Sequence, residues 1–237
     1  MGVKYYCDDS FFNTWSHDMA YVLGYLFADG SLDDVPQIRA KYMRVTSTDR
    51  DRIQLIRKLL SSKHTITKQI LGGNRLPRYI LSIGSHRLYD ALTSHGLTPH
   101  KSLTMELPSI PYQYFGAFVC GYFDGDGCVY VDTQKSKSRG GLGRVTIIFT
   151  SGSRNFLQAL HDILSKRKVV QGRGLYLHSN KRAYQLRYLT DDSANLFQLM
   201  YDGSRMKGLC LKRKYAIFSR YFDAMHRHDQ SAKLIKA

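Results

Sequence analysis

The chain has 237 residues, with 35 Lys+Arg against 19 Asp+Glu, a formal net charge of +16 and a pI of about 9.7, which excludes an acidic or charge-neutral carrier. At 43% hydrophobic and 12% aromatic the composition is that of a packed globular protein, not of a disordered basic tail. No run approaches the ~18 consecutive apolar residues of a membrane span, and Cys7, Asp8 and Asp9 interrupt any apolar leader. A location inside a cell is therefore expected, in an organelle (mitochondrion or chloroplast) or a prokaryotic cytoplasm.

In chain order, Ser16 or Asn13 caps a helix running to about Asp29, Gln37–Ser47 reads as a strand, and Asp49–Leu60 has helical spacing at Ile53, Ile56, Leu59 and Leu60. His64–Leu71 and Arg78–Gly84 form a hairpin around Gly72-Gly73-Asn74, followed by a helix from His86 to about Ser94. Leu103–Tyr114, with Pro108 and Pro111, reads as a linker. Beyond it, helices are expected near Tyr112–Asp126, Ser153–Lys166 and Asp192–Tyr201, and Thr133–Gly143 is a basic, Gly-rich loop between two strands. Cys7, Cys120, Cys128 and Cys210 form no C-x-x-C pair, so reduced thiols are expected rather than a zinc knuckle or a disulfide framework.

These elements repeat. Tyr21–Gly30 (YVLGYLFADG) returns as Phe118–Gly127 (FVCGYFDGDG), Val45–Leu60 returns as Phe149–Leu164, and Tyr79–Ile83 is echoed by Tyr184–Tyr188. Each half then reads as helix, two strands, helix, two strands, helix. The expected fold class is α+β, with two pseudo-symmetric αββαββα halves at 1–102 and 115–237 joined by a linker at 103–114. Charge is uneven: residues 1–108 hold 14 basic against 10 acidic residues, so 12 of the 16 net positive charges lie beyond them. Nucleic acid is the leading partner, ahead of a membrane surface, because most basic residues sit in strand-like runs instead of on one amphipathic helix.

At helical spacing Ala20, Gly24 and Ala28 form a small-residue stripe, matched by Ala117, Gly121 and Gly125, so the two repeated helices can approach closely. Asp29 and Asp126 each stand in the last turn, before Gly30 and Gly127 in the helix-ending position. A carboxylate there faces the negative end of the macrodipole, which is unfavourable without a cation, and its recurrence at equivalent points suggests two ligands for divalent metal. Helices in contact bring those carboxylates within about the 8–10 Å of packed axes. That range is comparable to the ~6 Å minor groove of duplex DNA, which suggests a hydrolase acting on both strands. A calcium loop in DGDGCVYVD fails because Cys128 and Val129 replace a ligand and the required glycine, and a dinucleotide fingerprint fails because the glycines follow the helix.

These residues resemble the LAGLIDADG homing endonucleases in their single-chain form with two motifs. The resemblance rests on VLGYLFADG and VCGYFDGDG, their spacing, the repeated element pattern and the Lys-Ser of GLTPHKS (Gly96–Ser102). It implies a site-specific double-strand DNA endonuclease that works as a monomer without a protein partner. Mg²⁺ would be the cofactor, Mn²⁺ would substitute, and Ca²⁺ would bind without supporting cleavage. It implies Asp29 and Asp126 as catalytic metal ligands, the carbonyls of Ala28 and Gly125 as further ligands, and Lys101 as the basic residue of the first half that supports hydrolysis. In the second half Lys212, Arg213 and Lys214 compete for that role, with Lys214 favoured; Ser47 and Ser151 map to a polar position after the second strand. Asp124, whose place Phe27 takes in the first motif, reads as a helix-end hydrogen-bonding group. An RNA maturase that assists splicing, or a non-cleaving DNA-binding regulator, is the alternative from another class.

Strand alternation puts Val145, Ile147 and Phe149 in the core and Arg144, Thr146 and Ile148 outward; Tyr184, Leu186 and Tyr188 inward and Gln185 and Arg187 outward. Arg78, Ile80 and Ser82 correspond in the first half. Arg39, Lys41, Arg44, Lys68 and Arg173 are expected on the same DNA-reading surface, although the Gln37–Val45 alternation is irregular and a bulge would reset it. Lys135, Lys137 and Arg139 are expected to touch phosphates.

Overall fold

The computed structural model describes residues 5–132, 143–172, 174–178, 183–201, 206 and 208–234. Helix α1 (His17–Asp29) starts where the Ser16 hydroxyl accepts a hydrogen bond from the Met19 backbone N–H at 3.0 Å, satisfying one of the orphan donors of the first turn. It is apolar nearly all round and buried from Met19 to Phe27, as is its repeat α4 (Phe115–Asp126), so both must lie at the centre of the molecule.

From α1 the chain runs directly into β1 (Gly30–Val35), turns through a 3-10 segment (Pro36–Ile38) and returns as β2 (Ala40–Ser47). Helix α2 (Arg50–Leu59), strands β3 (Ile66–Gln69) and β4 (Arg78–Gly84) and helix α3 (His86–Ser94) complete this half. The second half repeats the order after α4 with β5 (Gly127–Asp132), β6 (Arg144–Ser151), α5 (Arg154–Lys166, capped by Ser153), β7 (Leu175–Leu177), β8 (Tyr184–Leu189) and α6 (Thr190–Tyr201). Both sheets are four-stranded and antiparallel, and their orders, β1-β2-β4-β3 and β5-β6-β8-β7, are the same. One hydrophobic cluster runs through both halves, from Phe12 and Leu60 to Leu164 and Tyr188.

The last element, α7 (Lys212–Leu234), packs against β5, and its Tyr221 hydroxyl donates to the Gly143 carbonyl at 3.0 Å. It has no counterpart among the described residues of the first half, and from the sequence only its far part is read, the His226-Arg227-His228 run as an exposed helix end and not a metal site. Its buried stripe is Leu211, Lys214, Phe218 and Tyr221, so a lysine occupies a position where the helical period calls for an apolar residue. Among the described residues no helix is long and apolar enough to cross a membrane. All four cysteines are free; Cys7 and Cys120 are buried, and Cys128 is exposed.

Candidate metal centre and nucleic-acid interface

The small-residue stripes bring α1 and α4 into backbone contact. A Cβ added at Gly24 would stand 2.1 Å from the Phe118 carbonyl oxygen, and one at Gly121 would stand 2.0 Å from that of Tyr21. At the helix ends a Cβ on Gly125 would meet the Ala28 Cβ at 2.4 Å and the Asp29 Oδ2 at 3.4 Å, so the Asp29 carboxylate lies against the last turn of α4, beside Asp126. Gly30 and Gly127 do not take the left-handed conformation expected of helix-ending glycines; both are extended, with φ near −92° and −94°. They are glycines for space, because a Cβ would lie 2.5 Å from the Leu26 carbonyl oxygen in one case and 2.4 Å from that of Phe123 in the other.

Two negative charges are thus confined together. Burial pushes the Asp29 carboxyl up to about 6, and the neighbouring Asp126 charge adds to it against the Tyr25 hydroxyl, Lys214 and Lys101. Asp126 is also raised by desolvation, opposed by Lys101 and Lys214. The Asp126 residue as a whole is exposed, where water screens it, so the penalty of confinement falls mainly on half-buried Asp29.

Lys101 reaches the same place from the segment after α3. His100 takes the left-handed conformation (φ 55°) immediately before it, and Lys101, 7% exposed, donates from Nζ to the Ala28 carbonyl at 3.3 Å. Burial lowers its pKa, and Asp126 and Asp29 oppose that shift. In α7, Lys212 and Arg213 are exposed, and Arg213 pairs with Asp49 at 3.2 Å. Lys214 turns inward and is 4% exposed, with its pKa lowered to about 8 by burial. Its Nζ donates to the carbonyls of Phe123, Asp124 (3.0 Å) and Gly127 (2.6 Å). Ser47 accepts from the Tyr25 hydroxyl at 3.0 Å and from the Asp49 N–H at 3.1 Å, whereas Ser151 is buried and accepts from the Ser153 N–H at 3.1 Å. Asp124 accepts from the Tyr21 hydroxyl and the Leu211 N–H, both at 2.7 Å, the hydrogen-bonding part expected of it. An open cleft of about 440 Å³ beside Asp29 is lined by Ser47, Arg78, Gly125 and Arg213 among others.

Directly paired residues of an antiparallel sheet share a face, so the registers fix which side chains point away from the helices. On the first sheet these include Tyr42, Arg44, Thr46, Arg78, Ile80, Ser82, Thr67 and Gln69, with Ser31 and Asp33 on the edge strand; on the second, Cys128, Tyr130, Arg144, Thr146, Ile148, Gln185, Arg187 and Tyr176, with Asp132, Thr150 and Leu189. Arg44 pairs diagonally with Asp33 at 3.3 Å. Arg187 is held by Gln185, whose Oε1 accepts from Nη2 at 2.6 Å and Nε at 3.1 Å, and it lies over the Tyr176 ring. Arg39 sits exposed in the left-handed turn before β2. Lys135, Lys137, Arg139 and Arg173 lie outside the described residues.

Three expected members of this face are placed otherwise. Lys41 shares the parity of Met43 and Val45 and therefore points to the helix side, where it pairs with Asp90 at 2.7 Å and lies 4.6 Å from the Tyr89 ring centroid. Lys68 pairs in register with Tyr79, on the face of Leu81 and Ile83, so its edge-strand neighbours Thr67 and Gln69 take the outward positions. Thr146 does point outward but is only 3% exposed, since it lies on a central strand between Tyr130 and Leu189; Ile148 beside it is buried as well. The missed outward residues Thr46, Thr67, Gln69, Tyr130 and Tyr176 were discoverable only by aligning each strand to its partner.

A family model for the LAGLIDADG-like domain matches residues 114–198. Among solved structures, the chain is similar to the I-LtrWI LAGLIDADG homing endonuclease bound to target DNA, at 13% identity and a TM-score of 0.55, with 96% of each chain covered. It is also similar to the homing endonuclease I-WcaI bound to its DNA recognition sequence (12% identity, TM-score 0.57, 85% of this chain and 91% of that one). A third is the LAGLIDADG meganuclease I-AabMI bound to uncleaved DNA (14%, 0.52, 91% and 96%). A comparison with curated proteins returns no significant match. The likenesses fix the fold over nearly the whole chain as an α+β saddle of two pseudo-symmetric halves. A LAGLIDADG-like domain is thus matched in the second half, and the fold over nearly the whole chain, with both motif helices in one chain, is the one these solved structures share.

Proposed function

We propose that the chain is a site-specific double-strand DNA endonuclease that hydrolyses a phosphodiester on each strand with divalent metal, across the minor groove. The observation that carries this reading is the pair Asp29 and Asp126, two like charges pressed together at the seam between two sheets whose outward faces carry Arg44, Arg78, Arg144 and Arg187. A protein that only bound a polyanion would gain nothing from two carboxylates there, because they repel phosphate.

The donor set fits the metal. Asp29, Asp126 and the Ala28 and Gly125 carbonyls offer oxygen alone, and among the described residues no three His, Cys, Asp or Glu side chains gather. Mg²⁺ suits such a site because it is commonly held by one or two carboxylates, with water and substrate phosphate completing its shell. Mn²⁺ should substitute, and Ca²⁺ should bind without supporting cleavage. The ion would supply activation of water and neutralisation of the charge that develops on phosphorus-bound oxygen. The chain itself holds the carboxylates in place through α1 and α4 and offers the Lys101 ammonium to developing negative charge. Arg44, Arg78, Arg144 and Arg187 with Gln185 stand where they can reach base edges, Arg toward guanine and Gln toward adenine. The halves at 1–102 and 115–237, joined by 103–114, would each read one half of the target, so a monomer suffices.

The reading is tested by incubating the protein with a randomised duplex library and Mg²⁺ and sequencing the cut ends. Recurrent cuts in one sequence context are expected. Enrichment of bound but uncut duplex would return the chain to a binding role.

A further inference from the structure

The outward face of the second sheet carries an apolar band that the fold itself does not require. Tyr130 on β5 and Leu189 at the end of β8 pair with Thr146 from either side of β6, and they are 43% and 50% exposed. Ile148 lies next along β6 on the same face, and Tyr176 stands exposed on the edge strand β7. The repeat carries Tyr130, Leu189, Ile148 and Tyr176 onto Asp33, Gly84, Arg44 and Thr67, which hold the same places in the register of the first sheet. One frame therefore accepts an acid, a glycine, an arginine and a threonine where the second half places large apolar side chains. Apolar groups gathered at a surface mark a site of contact.

The charge around the band decides what that contact is. Arg144 stands two residues before Thr146, and Arg187 two before Leu189, so both share the outward face and one guanidinium borders the Tyr130–Leu189 row on each side. A second copy of the chain would set these arginines, and a net charge of +16, against their own kind. Duplex DNA suits both the charge and the spacing. At about 4.8 Å between neighbouring strands, Tyr130 and Leu189 stand roughly 10 Å apart across β6, within the ~12 Å width of the major groove. The apolar group that base edges present in that groove is the C5 methyl of thymine.

We infer that the band reads thymine: Tyr130 and Leu189 set base preference in the second half-site by packing on thymine C5 methyl groups, while Arg144 and Arg187 beside them take guanine or phosphate. The inference rests on the duplex-binding part of the endonuclease reading above and does not need cleavage. A cytosine methylated at C5 presents the same apolar group, so at these positions it is bound better than plain cytosine.

The test is equilibrium binding of the full chain, in EDTA, to duplexes selected from a randomised library by binding and not by cutting. Leu189→Ala and Tyr130→Ala, with melting temperatures checked, should lose preference at positions where the selected sequence carries thymine. Replacing each of those thymines by deoxyuridine removes the methyl alone and should weaken wild-type binding about fourfold per methyl, the worth of one buried carbon of this size. The same replacement should have no effect on the variant that has lost the contact. 5-Methylcytosine should recover part of the affinity that plain cytosine loses there. A duplex with every thymine replaced by deoxyuridine that binds the wild type as tightly as its parent would overturn the inference. So would variants that keep the full deoxyuridine effect at every position, because the methyls would then be read elsewhere. Single-stranded DNA that competes as well as duplex would overturn it too and make the band a stacking surface for unpaired bases. Dimerisation of the free protein that Leu189→Ala abolishes would make the band an interface between copies instead. If a variant does not fold, the deoxyuridine and 5-methylcytosine series on the wild type still decide. A wild type that shows the methyl dependence but never cuts in Mg²⁺ would uphold the inference and overturn the endonuclease reading, and one that selects no duplex at all would overturn both.

Discussion

Replacing Asp29 with Asn should stabilise the metal-free protein. The folded-state pKa of Asp29 is pushed up to about 6 from an ordinary 3.8, by burial first and by Asp126 next. The folded state therefore binds this proton more tightly than the unfolded chain does. Its contribution to stability is greatest below pH 4, declines as pH rises from about 4 to about 6, and stays at its lowest above that. About two pKa units at 1.36 kcal/mol each set an upper bound near ~3 kcal/mol, and partial exposure of Asp29 brings the expected gain of Asp29→Asn at pH 7 to ~1–2 kcal/mol. In a chain of this size that corresponds to an increase in melting temperature of roughly 2–8 °C. Scanning calorimetry in EDTA at pH 7 and pH 4 measures it: the variant should melt higher than the wild type at pH 7, and the difference should close at pH 4. Adding Mg²⁺ should raise the wild type and leave the variant nearly unmoved. A variant that melts lower than the wild type in EDTA at pH 7, or a difference that ignores pH, would refute the reasoning that Asp29 is a confined charge awaiting a cation.

Gly24→Ala places a Cβ about 2 Å from a backbone oxygen of α4 that cannot move aside, so destabilisation above ~3 kcal/mol is expected by urea unfolding. Arg187→Ala should relax base preference at one or two target positions by ~1–3 kcal/mol in competition binding, and uniform weakening over all sequences would make it a phosphate contact instead. Lys41→Met and Thr146→Val should leave target affinity and preference unchanged, since one side chain faces α3 and the other is buried; a shift in preference would contradict the registers. Affinity for duplex DNA should fall by orders of magnitude from low to moderate salt, as several neutralised phosphates require, and a flat titration would count against the DNA-binding surface.

The centre of the molecule was legible because it is written twice. The stripe of Ala20, Gly24 and Ala28 recurs at Ala117, Gly121 and Gly125, so a tight helix pair followed from spacing alone, and the terminal acids came with it. The sheet faces were harder to read. Lys41 and Arg44 stand three residues apart on β2 and could share a face only across a bulge, but the strand pairs without a break from Ala40 to Ser47, so Lys41 takes the inner face; the face of Lys68 is decided by its pairing with Tyr79, which the strand itself does not record. Thr146 had the correct parity, but burial on a central strand depends on its neighbours Tyr130 and Leu189. The start and length of helix α7 were hidden for a different reason: it lies outside the repeat, and the lysine in its buried stripe masks the apolar period. Its polar docking through Arg52, Tyr21 and Asp124 joins residues up to 157 positions apart.

The central claim is that Asp29 and Asp126 make this a metal-dependent nuclease. Its most direct test compares the wild type with the Asp29→Asn, Asp126→Asn double variant on a library-selected duplex in Mg²⁺, with binding followed in parallel. The account predicts that the wild type cuts both strands, and that the variant folds and binds the duplex at least as tightly but does not cut. Cleavage by the folded double variant at near wild-type rate would contradict it.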